Sequence, residues 1–290
     1  MGVDEYAQAR PSAGLRPFVG FYTGYRQAGL APARHRGLPS PYLTLIFTID
    51  DPLDVAAHPD PRQPAGRYDA LIGGLHLAPA VITHPGRQSG VQVALRPLGC
   101  RALFGLPAAE LAGADLDAAD VLGALPVDEI RDRLRSAPDW PSRFAVVDEA
   151  LLRRLRDDPP GALPEIAYAC RRLLAGPPVP VAAVATEVGW SPRYLTDRFR
   201  AEVGLRPKEA ARVARFDRAR RALGPATRLA DLAAEHGFAD QSHLVREFRA
   251  FAGCAPTTWL ADERELAVSL RKVVRFCPSP RPPPGARIEP

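Results

Sequence analysis

Cysteine is scarce in this 290-residue chain: Cys100, Cys170, Cys254 and Cys277 lie far apart and form no CxxC pair. That spacing supports neither a disulfide framework nor a zinc site. The six histidines, His35, His58, His76, His84, His236 and His243, show no HxH or HExxH pattern. A metal needs several ligands in one place. His76 and His84 could be ligands within one β-rich region, but surface or hydrogen-bonded roles rank first, so neither metal nor cofactor is expected. No apolar run approaches the ~18 residues of a membrane span. The start, Met1-Gly2-Val3-Asp4-Glu5, has no secretory apolar stretch, and Tyr6 stands where a myristoylation motif needs Ser or Thr. A cytoplasmic protein with no membrane partner is the default expectation. A GxSxG elbow, a Walker A loop and paired catalytic carboxylates are absent too, so the chain is expected not to be an enzyme.

What is present is the composition of a folded protein, 46% hydrophobic and 24% charged. The length suits two domains of roughly 100–200 residues each. The charge is uneven. Residues 1–160 carry 17 basic and 19 acidic side chains (net −2), whereas residues 161–290 carry 21 and 14 (net +7). Such asymmetry suggests a polyanion-binding C-terminal half joined to a neutral partner domain. An arginine-rich solvated surface is the plainer alternative, and charge alone does not choose.

The first hundred residues read as β-rich. Pro41 to Asp50 is a β-branched and aromatic run closed by Asp50-Asp51-Pro52. Residues 53–68 hold four prolines or glycines and read as a loop. Further strands are expected near Ala70–Leu77, Val81–Thr83 and Gly90–Arg96. Short strands between turn signals suggest a small barrel or sandwich. From Arg101 the spacing becomes helical, and Phe144, Val147, Leu151 and Leu155 make an apolar stripe that serves either its own domain or a dimer surface. The proline-rich stretch 176–180 reads as a stiff linker. Residues 278–290, rich in proline with little to bury, read as a disordered tail.

An internal repeat carries the functional argument. Val184-Ala185-x3-Gly189-Trp190 returns as Leu232-Ala233-x3-Gly237-Phe238. Likewise Leu195-x3-Phe199-Arg200-Ala201-x2-Gly204-x2-Pro207 returns as Leu244-x3-Phe248-Arg249-Ala250-x2-Gly253-x2-Pro256. Each copy reads as a short helix (Val181–Val188 or Leu229–His236), a glycine turn favouring positive φ, and a second helix. Ser191 before Pro192 and Asp240 are the expected N-caps. This is a helix-turn-helix present twice. In the helix from Ser191, Leu195, Phe199 and Val203 face inward, which leaves Arg193, Thr196, Asp197 and Arg200 outward. In the helix from Asp240, Leu244, Phe248 and Phe251 or Ala252 face inward, which leaves Ser242, Arg246 and Arg249 outward. A helix fits the major groove, where Arg reads guanine and Ser or Thr reads less selectively. Pro207 to Leu223 is the expected connecting helix, ended by Gly224-Pro225. Its seventeen residues span roughly 25 Å, which suits recognition helices in successive major grooves about 34 Å apart.

Residues from about Val179 to Leu260 closely resemble the AraC/XylS family of bacterial transcription regulators. The resemblance rests on Gly237-Phe238-Ala239-Asp240-Gln241-Ser242-His243-Leu244 with Arg246, Phe248, Gly253 and Pro256, and on Arg215-Phe216-x2-Ala219 with Leu223 in the linker helix. It implies sequence-specific binding of double-stranded promoter DNA, activation or repression of transcription, and RNA polymerase, a small-molecule effector and a second copy of the chain as further partners. By position Arg193, Thr196 and Asp197 match the base-reading slots of the first recognition helix, and Ser242 and Arg246 those of the second. The DNA-facing set is then Ser191, Arg193, Thr196, Asp197, Arg200, Gln241, Ser242, Arg246 and Arg249. Asp197 departs from the family, which often has Arg there; it would repel phosphate but could accept from cytosine N4. The stretches Leu38-Pro39-x3-Leu43-x-Leu45-Ile46-Phe47 and Leu95-Arg96-Pro97-Leu98-Gly99 look similar to uncharacterised members. No pocket residue stands out among Tyr42, Phe47, His76, His84 and Arg96.

The expected fold class is α+β. Residues 1–100 form a β-rich, barrel-like effector or dimerisation domain, 101–176 a helical extension and linker, 177–265 an all-α DNA-binding domain, and 278–290 the tail. Two rivals remain. A fusion with alkyl-transfer repair chemistry would need a cysteine nucleophile and a clustered zinc site, and Cys100 is isolated. An unspecific architectural binder would not need two discrete recognition helices with different outward residues.

Overall fold

The computed structural model describes residues 3–155, 162–176, 178–268 and 274–277. The proline-rich tail expected at 278–290, and Pro177 of the expected linker, lie outside the described residues. Among the described residues eleven strands form two sheets. The larger contains β1 (Val3–Ala9), β2 (Val19–Ala28), β4 (Leu43–Thr48), β7 (Ala70–Gly73), β9 (Gln88–Leu95), β10 (Asp115–Asp117) and β11 (Val274–Cys277), in the order β10-β7-β4-β9-β2-β1-β11. The smaller contains β3 (Ala33–Gly37), β5 (Leu53–Ala57), β6 (Gly66–Tyr68) and β8 (Ala80–His84), in the order β3-β8-β5-β6. Pairing is antiparallel except between β1 and β11. The two sheets share no strand pair, so the expected barrel-like domain is not a closed barrel.

The strands expected near 41–50, 70–77, 81–83 and 90–96 are β4, β7, β8 and β9. The loop expected over 53–68 is corrected: Leu53 and Val55 of β5 are buried and Tyr68 of β6 pairs with Leu53. Prolines and glycines around these short strands hid them. Strand β2 went unread because its core face alternates a large residue with a small one. Gly24 lies directly beneath the Trp140 ring, where any Cβ would overlap it.

Period-two alternation gives the larger sheet two unlike faces. Tyr22, Leu43, Leu45, Phe47, Val91 and Val93 pack toward the helices of the first half and are 0–1% exposed. These helices are α1 (Gly99–Phe104), α2 (Ala118–Leu122), α3 (Ala124–Ser136) and α4 (Trp140–Arg154). The apolar stripe of α4 serves its own domain, since Phe144, Val147 and Leu151 are buried and Phe144 stacks on Tyr22 at 6.0 Å. The Tyr22 hydroxyl donates to buried Asp148 of α4 at 2.8 Å, which pins helix to sheet through a satisfied buried polar pair.

The C-terminal helices are α5 (Pro164–Cys170), α6 (Val181–Glu187), α7 (Pro192–Val203), α8 (Pro207–Ala222), α9 (Leu229–Glu235), α10 (Gln241–Ala252) and α11 (Pro256–Val268). Their buried faces belong to the same hydrophobic cluster as the first-half core. Among the described residues no helix is long and apolar enough to cross a membrane.

Candidate nucleic-acid interface

The two repeats fold alike down to single hydrogen bonds. In the first, Gly189 has φ +73° and Trp190 N donates to Ala185 O at 2.9 Å. In the second, Gly237 has φ +73° and Phe238 N donates to Ala233 O at 2.9 Å. A left-handed glycine lets the chain reverse and re-enter a helix without a Cβ clash. Both recognition helices start on the expected caps: Ser191 Oγ accepts from Tyr194 N at 3.2 Å, and Asp240 Oδ1 accepts from His243 N at 2.6 Å. Each cap is worth about 1 kcal/mol. The recognition helices end at Gly204 and Gly253, both left-handed.

Inward residues are where helical spacing puts them: Leu195, Phe199 and Val203 of α7 and Leu244, Phe248, Phe251 and Ala252 of α10 are all buried. On the opposite side Arg193, Asp197, Arg200, Gln241, Ser242, Arg246 and Arg249 are exposed, and Thr196 is partly so. Thr196 donates its hydroxyl back to Pro192 O at 2.8 Å, so it offers its methyl group and lone pairs outward. Ser191 is occupied as a cap acceptor, which leaves its hydroxyl proton for an outside partner. The residue reading passed over Tyr194, 48% exposed, whose ring stands edge-on to Trp190 at 4.8 Å. Its flag was an aromatic residue within an outward-facing polar turn.

Arginines divide by occupation. On α8, Arg212 makes a fork to Glu247 of α10 at 2.7–3.1 Å, while Arg220 and Arg221 share buried Asp217 at 2.7 and 2.8 Å. The first ties α8 to the second repeat; the other two are i,i+3 and i,i+4 pairs within α8 itself. Arg193, Arg200, Arg246 and Arg249 form no hydrogen bond or ion pair with the described residues. Their charge faces solvent on the two helices whose shape suits a groove.

The first half grips this unit at several points, and Arg200 at the end of the α7 stripe lines a cleft with Pro59, Asp60 and Arg62. Arg101 of α1 reaches Glu202, near the C-terminal end of α7, with Nε 2.7 and 2.8 Å from its carboxylate oxygens. Arg36 of β3 pairs with Asp262 of α11 at 2.6 Å, and Arg221 lies 5.3 Å over the Phe21 ring. Between the sheets and α8 and α11 is a cavity of about 440 Å³. Of the five residues weighed from sequence, Tyr42 and His76 line it. Phe47 is on the opposite face in the core, His84 is buried 6.0 Å from His35, and Arg96 sits 5.9 Å from the Tyr42 ring. Cys100 is fully buried and its thiol is pushed up to about 12, first by burial and then by Glu202, the wrong state for a nucleophile at neutral pH.

Comparison with known families matches residues 184–262 to a helix-turn-helix domain and residues 7–117 to a domain of unknown function, DUF6597. No curated protein matches the chain. Among solved structures, a transcriptional regulator with an AraC-type DNA-binding domain from Chromobacterium violaceum is 24% identical over 34% of this chain and 90% of that one, with a TM-score of 0.31. The C-terminal domain of AraT, a response regulator from Geobacillus stearothermophilus, is 18% identical over 34% and 86%, with a TM-score of 0.32. ToxT from Vibrio cholerae O395 is 12% identical over 85% of this chain and 98% of its own, with a TM-score of 0.47. With the duplicated turn, its caps and its motif residues in place, residues 184–262 form a helix-turn-helix domain of the AraC/XylS type, the DNA-binding part of a transcription regulator.

Proposed function

We propose that the chain is a sequence-specific regulator that reads two adjacent major-groove segments with α7 and α10, and that its first half modulates this reading. The observation that carries it is the pair of exposed stripes, their four arginines without partners among the described residues, on two helices built by one repeated motif. Arg246 and Arg249 of α10 suit guanine or phosphate, and Ser242 and Gln241 adapt to either partner. On α7, Arg193 and Arg200 take phosphate or guanine, Ser191 and Thr196 make lighter contacts, and Asp197 accepts from cytosine N4. The sixteen residues of α8 span about 24 Å. With the two modules at its ends, this suits recognition helices about one turn of B-DNA apart. Modulation is supported by the Arg101–Glu202 and Arg36–Asp262 pairs, which tie the first half to α7 and α11.

Selection of bound DNA from a random library at near-physiological salt tests the reading. Two short enriched blocks about one helical turn apart are expected. Retention of DNA without any enriched sequence, in the presence and absence of candidate metabolites, would instead make the chain an unspecific binder.

A further inference from the structure

Two segments of the first half reach equivalent places on the two repeats. Strands β7 and β10 pair through Gly73 and Asp115, and the backbone ladder continues past them. Gly74 N donates to Ala114 O and Gly113 N donates to Leu75 O, both at 2.9 Å. The segments are so close there that a Cβ on Gly74 would lie 1.7 Å from Leu111 O. Beyond this junction they part as two fingers. One includes the helical turn Ala108–Leu111 and ends on α7, where a Cβ on Gly204 would lie 2.5 Å from Ala112 Cβ and 3.1 Å from Ala109 Cα. The other runs from Leu75 to Pro79 and ends on α10, where a Cβ on Gly253 would lie 3.9 Å from Pro79 Cγ.

Gly204 and Gly253 are the same position of the repeated motif, the left-handed glycine that ends each recognition helix. Both fingers are stiffened. Ala108 and Leu111 are buried, and Arg101 holds Glu202, two residues before Gly204. His76 Nδ1 donates to Ala78 O at 2.5 Å and fixes the turn that presents Pro79. Within the DNA-binding unit α8 joins the repeats, and the Arg212 fork ties it to α10. One connection of that kind still leaves the repeats free to tilt about it. A second, reaching from a common base to the matching point of each repeat, opposes the tilt, because close-packed groups resist both compression and separation.

We infer that this bracket sets the separation and angle of α7 and α10, with Ala112 and Pro79 as positioning residues that fix how many base pairs lie between the two blocks the chain reads. One base pair more or less moves the second block by about 3.4 Å along the duplex and about 35° around it. Helices held at matching points cannot follow that step, whereas helices joined by α8 alone can tilt toward it. This role rests on the two-groove reading proposed above, and it concerns the spacing of the blocks, not the bases within them.

Competition anisotropy with the full chain tests it, with the selected operator at its preferred spacing and with one base pair added or removed between the blocks. The unaltered chain is expected to lose ten-fold or more in affinity at either changed spacing. Pro79→Gly combined with Ala112→Gly, and separately the bulkier Ala112→Leu, are each checked by a melting curve. Both are expected to cut that loss three-fold or more, or to move the preferred spacing, while base changes within a block cost what they cost the unaltered chain. Should the double variant not fold, Ala112→Leu and Pro79→Gly carry the comparison. Indifference of the unaltered chain to spacing, an unchanged spacing penalty in the folded variants, or an equal loss of base preference would overturn the inference. Spin labels at Arg198 of α7 and Ala250 of α10, both exposed, give a readout without DNA, in a background with Cys254 and Cys277 replaced by Ser. One narrow distance distribution is expected, broadened or shifted in the variants, and an unchanged distribution overturns the bracket. A chain that shows the change but selects no DNA sequence sinks the regulator reading and leaves the bracket standing as what spaces the two helices.

Discussion

Arginine does two jobs in this molecule, and partners tell them apart. Arg212 is forked onto Glu247 and Arg101 onto Glu202, where charge holds helices in place. Arg246 is exposed on α10 with its guanidinium unoccupied by the described residues, and in the proposed reading it makes two parallel hydrogen bonds to a guanine edge. Replacing Arg246 with Ala is expected to leave the melting temperature unchanged and to relax base choice at one operator position, at a cost of about 1–3 kcal/mol. Competition against single-base operator variants measures this, and an unchanged preference takes Arg246 out of the reading set. Both the outward stripes and the two caps were legible in sequence, because helical spacing is local. That Thr196 spends its proton on Pro192 O was not legible, since it depends on a rotamer.

At the scale of elements, the two turns look interchangeable but differ in their surroundings. Gly189 and Gly237 share φ +73°, yet a Cβ on Gly189 would meet nothing within 4 Å, whereas one on Gly237 would lie 2.9 Å from Pro178 Cγ. Gly189→Ala is expected to cost roughly 1–2 kcal/mol, the ordinary penalty for a left-handed residue with a side chain. Gly237→Ala is expected to cost more, because Pro178 must also move. Urea unfolding of both variants gives the comparison, and equal losses would show that Pro178 yields freely. The helices were the legible elements: α8, expected from Pro207 to Leu223, runs Pro207–Ala222. The strands were read less fully. On β2 the apolar alternation is broken by Gly24 under Trp140 and by Thr23, Tyr25 and Gln27 facing the cavity.

Across the whole molecule, the smaller sheet carries histidines that the fold keeps neutral. Burial, and then neighbouring His84, push His35 down to about 4, and burial lowers His84 and His76 as well. Unfolded, each takes up a proton near pH 6.5, while native His35 refuses one until about 4. Between these values the unfolded chain binds more protons, so stability rises with pH there and is lost as pH falls from about 6.5 toward 4. The melting temperature of the full chain is expected to drop between pH 7 and pH 5, with a shallower slope in His35→Leu. A slope that the substitution leaves intact would place the acid sensitivity elsewhere.

The sequence by itself determined the duplicated helix-turn-helix, its capped starts, its glycine turns and which helical faces point out. All of these follow from periods of a few residues and from the φ that only glycine takes easily. Tertiary structure alone decided that the sheets stay open, that Arg101 meets Glu202 across 101 positions, and that Gln92, Ile82 and Trp259 line one cavity. Such groups meet only when non-local strand pairing and domain docking bring distant segments together, and no local pattern records which partners will face one another.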